Sequence, residues 1–133
     1  VTFLEDAGQP ADSTTNGVDN PASYGTFPRI LGRYVRELRL LALPDAVRRM
    51  TSFSAERMGL RERGRITTGL AADRVVFDPQ TVGDNTTRRA PSRSPSGIDY
   101  VVVNGAVVVE HGTFARASRA GRVLRRGIDP RGA

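Results

Sequence analysis

The stretch Ser23-Tyr24-Gly25-Thr26-Phe27-Pro28-Arg29-Ile30-Leu31-Gly32-Arg33-Tyr34-Val35-Arg36-Glu37 decides how this chain is read. It is an aromatic, glycine and proline entry fused to an amphipathic helix. Pro28 suits a first helical turn, where its missing N–H costs nothing. Ile30, Leu31, Tyr34, Val35, Leu38 and Leu41 then recur at helical spacing on one face, which must bury against something. A second helix is expected from Pro44, with Leu43, Ala46, Val47 and Met50 inward and Asp45 near the positive end of its dipole. A short third segment, Ser54 to Met58, closes at Gly59, a natural left-handed cap. Met50 and Met58 read as core filler.

Outward from the helices the period changes. Arg74 to Phe77, Tyr100 to Val103 and Ala106 to Val109 are β-branched or aromatic runs. Asn104-Gly105 between the last two is the strongest two-residue hairpin signal. The polar stretch from Asp78 to Gly97, with Pro79, Pro91 and Pro95, is an excursion between strands. Upstream, Val1 to Leu4 reads as a strand that feeds a long polar loop reaching Pro21, and Gly127 to Ala133 reads as a frayed tail. The chain starts at Val1 without an initiator methionine, in what reads as mid-strand, so truncation or processing upstream is expected. Helices followed by a segregated small sheet give an α+β arrangement. The wide apolar stripe and the incomplete sheet suggest a segment built to pack against more protein.

Composition narrows the function. With 133 residues the chain is too short for a (β/α)8 barrel, which needs roughly 250. It has no cysteine and a single histidine, His111, so it cannot by itself build the nitrogen- and sulfur-rich sets that bind zinc tightly. His111 follows a strand in a turn, and with no second histidine it is a poor ligand candidate. The formal charge is +6 and every basic residue is arginine, none lysine, which raises the question of a polyanion partner. Placement argues against nucleic acid: the arginines alternate with apolar positions, as on solvated faces, and no aromatic residue lies beyond Phe114 to stack on bases. No run approaches the roughly 18 apolar residues of a membrane span, and no signal peptide is present, so the chain reads as soluble and cytoplasmic.

The Ser23 to Glu37 run, with Gly64-Arg65-Ile66-Thr67-Thr68-Gly69-Leu70-Ala71-Ala72-Asp73-Arg74-Val75-Val76-Phe77-Asp78 and the later Val103-Asn104-Gly105, resembles the C-terminal part of the N-acyl-D-amino-acid deacylases (D-aminoacylases), metal-dependent amidohydrolases. The resemblance covers nearly the whole sequence. It implies that residues 1–59 are the last strand, a loop and the closing helices of a metal-bearing (β/α)8 barrel, that residues 60–126 are part of a small β-sandwich, and that 127–133 is tail. It implies zinc with ligands upstream of this chain, an N-acyl-D-amino acid as substrate, the remainder of the barrel as partner, and an isolated chain without activity.

Asp6 carries the catalytic expectation. At the C-terminal end of a barrel strand it would lie where catalytic groups of that fold gather. The resemblance gives it the role of moving a proton from the metal-bound water to the departing amine. Read without the resemblance, it is a turn residue ending a strand. Glu5 stands where the family usually has a small hydroxyl residue, and Asn20-Pro21-Ala22 where many members carry His-Pro-Arg. Tyr24, Thr26 and Arg29 are the substrate-binding candidates, since arginine is well shaped to clamp a carboxylate; the alternative is that they anchor the loop to the helix. Asp73 and Asp78 read as turn formers bracketing a strand. The rival reading of the whole chain is a noncatalytic remnant or accessory module that binds a partner protein through its exposed helix stripe.

Overall fold

The computed structural model describes residues 21–115 and 119–124. The strand read at Val1 to Leu4, Asp6, the loop up to Asn20 and the tail from Gly127 lie outside those residues.

The first helix, α1, runs Pro21–Arg29 and continues without a break into a π-helical stretch, Ile30–Glu37. The helix therefore starts seven residues before the position expected from Pro28. Pro21, with its fixed φ, takes the first turn, and Pro28 lies inside. An internal proline removes one i→i−4 bond and crowds the carbonyl of Tyr24. Two residues further on the ladder is paired i→i−5, and it ends with Leu38 N–H donating to Arg33 O at 2.8 Å. This wider turn rotates later positions off the expected stripe: Ile30 and Leu31 are buried, but Tyr34 and Leu38 are 40% and 48% exposed.

The next two helices follow local signals. α2, Leu43–Met50, carries Pro44 and Asp45 in its first turn after an extended Ala42. α3, Ser52–Met58, stops at Gly59, whose φ of 73° only glycine adopts cheaply. Leu60 N–H closes that turn onto Ala55 O at 2.8 Å. Met58, expected in the core, is half exposed.

Four strands, β1 Arg74–Phe77, β2 Ile98–Val103, β3 Ala106–Glu110 and β4 Thr113–Phe114, form one antiparallel sheet in sequence order. Asn104 and Gly105, at φ 49° and 84°, make the two-residue turn between β2 and β3, both left-handed as the hairpin twist requires. His111 and Gly112 repeat that geometry before β4, a strand the sequence reading did not include. The region 78–97 forms no strand of this sheet, but it is pinned by a Gly83↔Ser96 bridge and a Thr87↔Ala90 turn.

The core is small and shared. Ile30, Leu31 and Ala46 pack with Val82 from the excursion, and Phe77 and Ile98 of the sheet join from the edge. Val82 is the one large side chain among the described residues that is fully buried. The sheet is covered poorly on both sides: adjacent Val75 and Val76, which point to opposite faces, are each half exposed, as are Val107 and Phe114.

Candidate functional site

The signature helix is gripped by the excursion. Gly25 and Gly32 lie on the side of the helix that meets residues 82–84. A Cβ on Gly25 would stand 2.3 Å from Asp84 Oδ1, and one on Gly32 would stand 2.7 Å from Val82 O. Real side chains cannot approach so closely, so both positions need glycine for contact rather than for backbone freedom. Between and beyond them, two arginines reach the same loop. Arg29 donates from Nε to Asp84 Oδ2 at 2.7 Å, and its Nη2 lies 2.7 Å from the same oxygen. Arg36 donates to Val82 O at 2.6 Å and to Pro79 O at 3.3 Å.

Asp84 is the pivot of this grip. Its side chain is only 6% exposed, whereas that of Arg29 is half exposed. Burial pushes the Asp84 carboxyl up, but Thr86 and Arg29 outweigh it and hold the group below its ordinary value. The Thr86 backbone N–H donates to Oδ1 at 2.8 Å. The buried Thr86 hydroxyl beside it also favours the carboxylate. Asp84 is thus a buried carboxylate whose two oxygens are both used. Sequence reading missed it, because nothing local marks an aspartate whose partner lies 55 residues away. The seven-residue spacing of Gly25 and Gly32 was the available hint.

Beside the grip lies an open cleft of about 670 Å³, walled by Ile30, Tyr34, Leu40 and Leu41 and edged by Arg29, Arg49 and Thr86. Of the expected site residues, Thr26 and Arg29 line this cleft and Tyr24 does not. The Thr26 hydroxyl donates back to Ala22 O at 2.6 Å. The structure brings Arg29 to Asp84 and leaves the expected catalytic Asp6 outside the described residues. His111 sits in its hairpin turn against Tyr100, ring centroids 5.0 Å apart, with the Tyr100 hydroxyl 3.0 Å from Nε2. Among the described residues no group of three or more His, Cys, Asp or Glu gathers to hold a metal ion. These residues therefore do not themselves fit a metal centre. No described helix is long and apolar enough to cross a membrane.

The two later motif runs also meet. Asp73 accepts the Asn104 backbone N–H at 2.7 Å and pairs with Arg63, which in turn donates to the Asn104 side chain. Asp73 is a cross-link between the Gly64 segment and the hairpin, more than the turn former expected. Asp78 does form a turn, accepting from Gln80 N–H at 2.8 Å and from the Thr81 hydroxyl at 3.0 Å.

A sequence profile of the Amidohydrolase family matches residues 14–109, most of the chain. The chain belongs to the amidohydrolase family. Within it, the chain is 44% identical over 125 residues to the D-aminoacylase of Alcaligenes xylosoxydans xylosoxydans, covering 94% of this chain and 25% of that protein. A solved D-aminoacylase, described for the functional role of its binuclear metal centre, superposes with a TM-score of 0.77 at 48% identity over 80% of this chain and 22% of that one. The N-acyl-D-glutamate deacylase of Bordetella bronchiseptica, solved with zinc and a phosphonate inhibitor, superposes at 0.68 with 47% identity over 77% of this chain and 21% of that one. The chain spans about a quarter of the length of the curated relatives it matches. Among these amidohydrolases, the small antiparallel sheet with its helices is a shared fold.

Proposed function

We propose that this chain is the C-terminal part of a metal-dependent amidohydrolase that cleaves the amide bond of N-acyl-D-amino acids, releasing a carboxylate and a D-amino acid. The observation that carries the proposal is the 44% identity to a D-aminoacylase across 94% of the chain. In this reading α1 and its π-helical extension are the closing helix of the barrel, and β1–β4 belong to the small β domain. In this reading zinc is held by residues upstream of this chain.

Asp6 is assigned the proton transfer: its carboxylate takes a proton from the attacking water and returns it to the leaving nitrogen. For Thr26 and Arg29, the bonds to Ala22 O and Asp84 support the anchoring role over substrate contact. An arginine that fixes the excursion to α1 has one edge of its guanidinium already used.

The test is to express the continuous polypeptide that contains this chain together with the portion its relatives carry. It is then supplied with zinc, and release of free D-amino acid is followed. Hydrolysis of N-acyl-D- but not N-acyl-L-amino acids is expected, and Asp6→Asn should reduce turnover by about 10²–10⁴-fold. No turnover, or equal cleavage of both enantiomers, refutes the proposal. Metal-dependent turnover by the 133-residue chain alone refutes the placement of the ligands.

A further inference from the structure

A second open recess, of about 340 Å³, lies where the π-helical stretch meets the excursion. Its lining is polar: Arg29, Arg33 and Arg36 on the helix side, and Thr81, Asn85 and Ser96 on the excursion side. The three guanidinium groups are committed to different degrees. Arg29 is held by the buried Asp84 carboxylate. Arg36 donates from Nη1 to two carbonyls, Val82 O and Pro79 O, which fix its position. Its Nη2 has Glu37 Oε1 at 3.6 Å, beyond hydrogen-bond reach. Arg33 is exposed, and its side chain makes no hydrogen bond or ion pair among the described residues. Asn85 donates one amide N–H to Ser94 O, which leaves its second for another acceptor.

We propose that this recess is a binding site for a phosphate group, held by the Arg33 guanidinium, Arg36 Nη2 and the second amide N–H of Asn85. Three observations identify the ligand. Asp84 neutralises Arg29, so Arg33 and Arg36 face one exposed carboxylate, Glu37, and like charges on neighbouring turns of a helix repel unless an anion lies between them. A dianion matches the two cations, whereas a carboxylate leaves one over. Guanidinium groups take oxyanions through paired N–H donors, and one of these two is already fixed in place by backbone carbonyls. Finally, the polar lining has no apolar wall to grip a large organic group, so recognition rests on the anion itself. Glu37 opposes binding and swings into solvent as the phosphate enters, since its side chain is more than half exposed and loosely held. Inorganic phosphate and a phosphomonoester present the same oxygens to these donors. The site goes beyond the proposed hydrolysis and does not depend on it.

Inorganic phosphate is titrated calorimetrically, at low ionic strength, into the continuous polypeptide that contains this chain, and glycerol phosphate and acetate are titrated in parallel. Saturable phosphate binding with Kd of about 1 mM or tighter is expected. Arg33→Gln should weaken it about tenfold or more, and Glu37→Gln should tighten it about two- to fivefold by removing the competing carboxylate. Arg88→Gln, at the exposed turn between Thr87 and Ala90, is the control and should leave it unchanged. A phosphate bound at a metal elsewhere is indifferent to Arg33 and Glu37, so the opposite signs of these two effects isolate the recess. Arg33 makes no side-chain bond here and Glu37 is loosely held, so both variants should fold, and their Tm without phosphate checks this. Glycerol phosphate that binds with the same dependence on Arg33 supports a phosphomonoester as the ligand; phosphate alone behaving so supports the free ion. Binding that ignores Arg33→Gln, no saturation below about 10 mM, or acetate binding as tightly as phosphate overturns the proposal. D-amino acid release is measured on the same samples. Hydrolysis without phosphate binding removes this inference and keeps the proposed function, and phosphate binding without hydrolysis does the reverse.

Discussion

Gly25→Ala sets two well-calibrated effects against each other. In a solvent-exposed helix interior, replacing glycine by alanine stabilises by about 1 kcal/mol, because glycine loses more backbone freedom on folding. Here the new methyl would stand 2.3 Å from Asp84 Oδ1 and 2.6 Å from Asp84 Cγ. The aspartate is short and buried, so it cannot swing away without releasing Arg29 and the Thr86 amide. Overpacking costs about 1–3 kcal/mol, and each hydrogen bond to a charged group about 1.5–3 kcal/mol. Even with only part of that lost, the steric side wins, and the net change should be a destabilisation of roughly 2–4 kcal/mol. The decisive assay is a double-mutant cycle by urea and thermal unfolding. Asp84→Ala empties the space facing Gly25, so in that background Gly25→Ala should become neutral or stabilising by up to about 1 kcal/mol. If Gly25→Ala stabilises the otherwise unaltered chain, or costs as much in the Asp84→Ala background as outside it, the close contact does not exist and the grip of the excursion on α1 is wrongly described.

The Asp84 carboxyl is held below its ordinary value of 3.8, so its ionised form stabilises the fold. That contribution is complete above the unfolded value and is lost as pH falls through the folded one. Asp84→Asn should therefore lower Tm most near neutral pH, and the gap to the unaltered chain should close below about pH 4; a gap that is constant down to about pH 2 would contradict the assignment. At the hairpin, Asn104 holds a left-handed turn position and also bonds Arg63 and Ala120. Asn104→Gly keeps the turn and loses the bonds, whereas Asn104→Ala loses both, so alanine should cost about 1 kcal/mol more than glycine in urea unfolding. Equal costs would mean that the left-handed turn contributes nothing.

What was legible in the sequence was local. Pro44 and Asp45 open α2, Gly59 ends α3, and Asn104-Gly105 turns β2 into β3, each because one or two residues impose a backbone geometry on themselves. What was not legible depends on residues far apart in the chain. Gly25 argues locally against a helix, yet the helix runs through it, since the approach of Asp84 requires a residue without a side chain there. The π-helical pairing after Pro28 displaced Tyr34 and Leu38 from the face that a regular 3.6-residue period assigned them. The excursion from Asp78 to Gly97 has the composition of a loop, and it is one; composition carries no mark of the fact that Val82 fills the core and Asp84 holds Arg29. For the candidate site, the motif runs were visible as sequence and their mutual contacts were not. Arg63, Asp73 and Asn104 became a network only when β1 and β2 paired.

The distribution of buried and exposed groups favours the proposed reading over a module built to stand alone. Ile30, Leu31 and Ala46 of the helices share one core with Val82, Phe77 and Ile98, so helices and sheet are held as a unit by packing as well as by the Arg29–Asp84 pair. A unit fixed that firmly has no reason to leave Val75, Val76, Val107 and Phe114 half exposed and Leu40 more so, if it were built to stand in water by itself. Nor would such a unit leave Arg49 Nε shielded from water without a partner. The exposed apolar groups lie on the sheet and, for Leu40, in the segment between the π-helical stretch and α2. That pattern is what the proposed reading, a chain that packs against more of an amidohydrolase, leads one to expect. It agrees with a chain that spans about a quarter of the length of each curated deacylase relative.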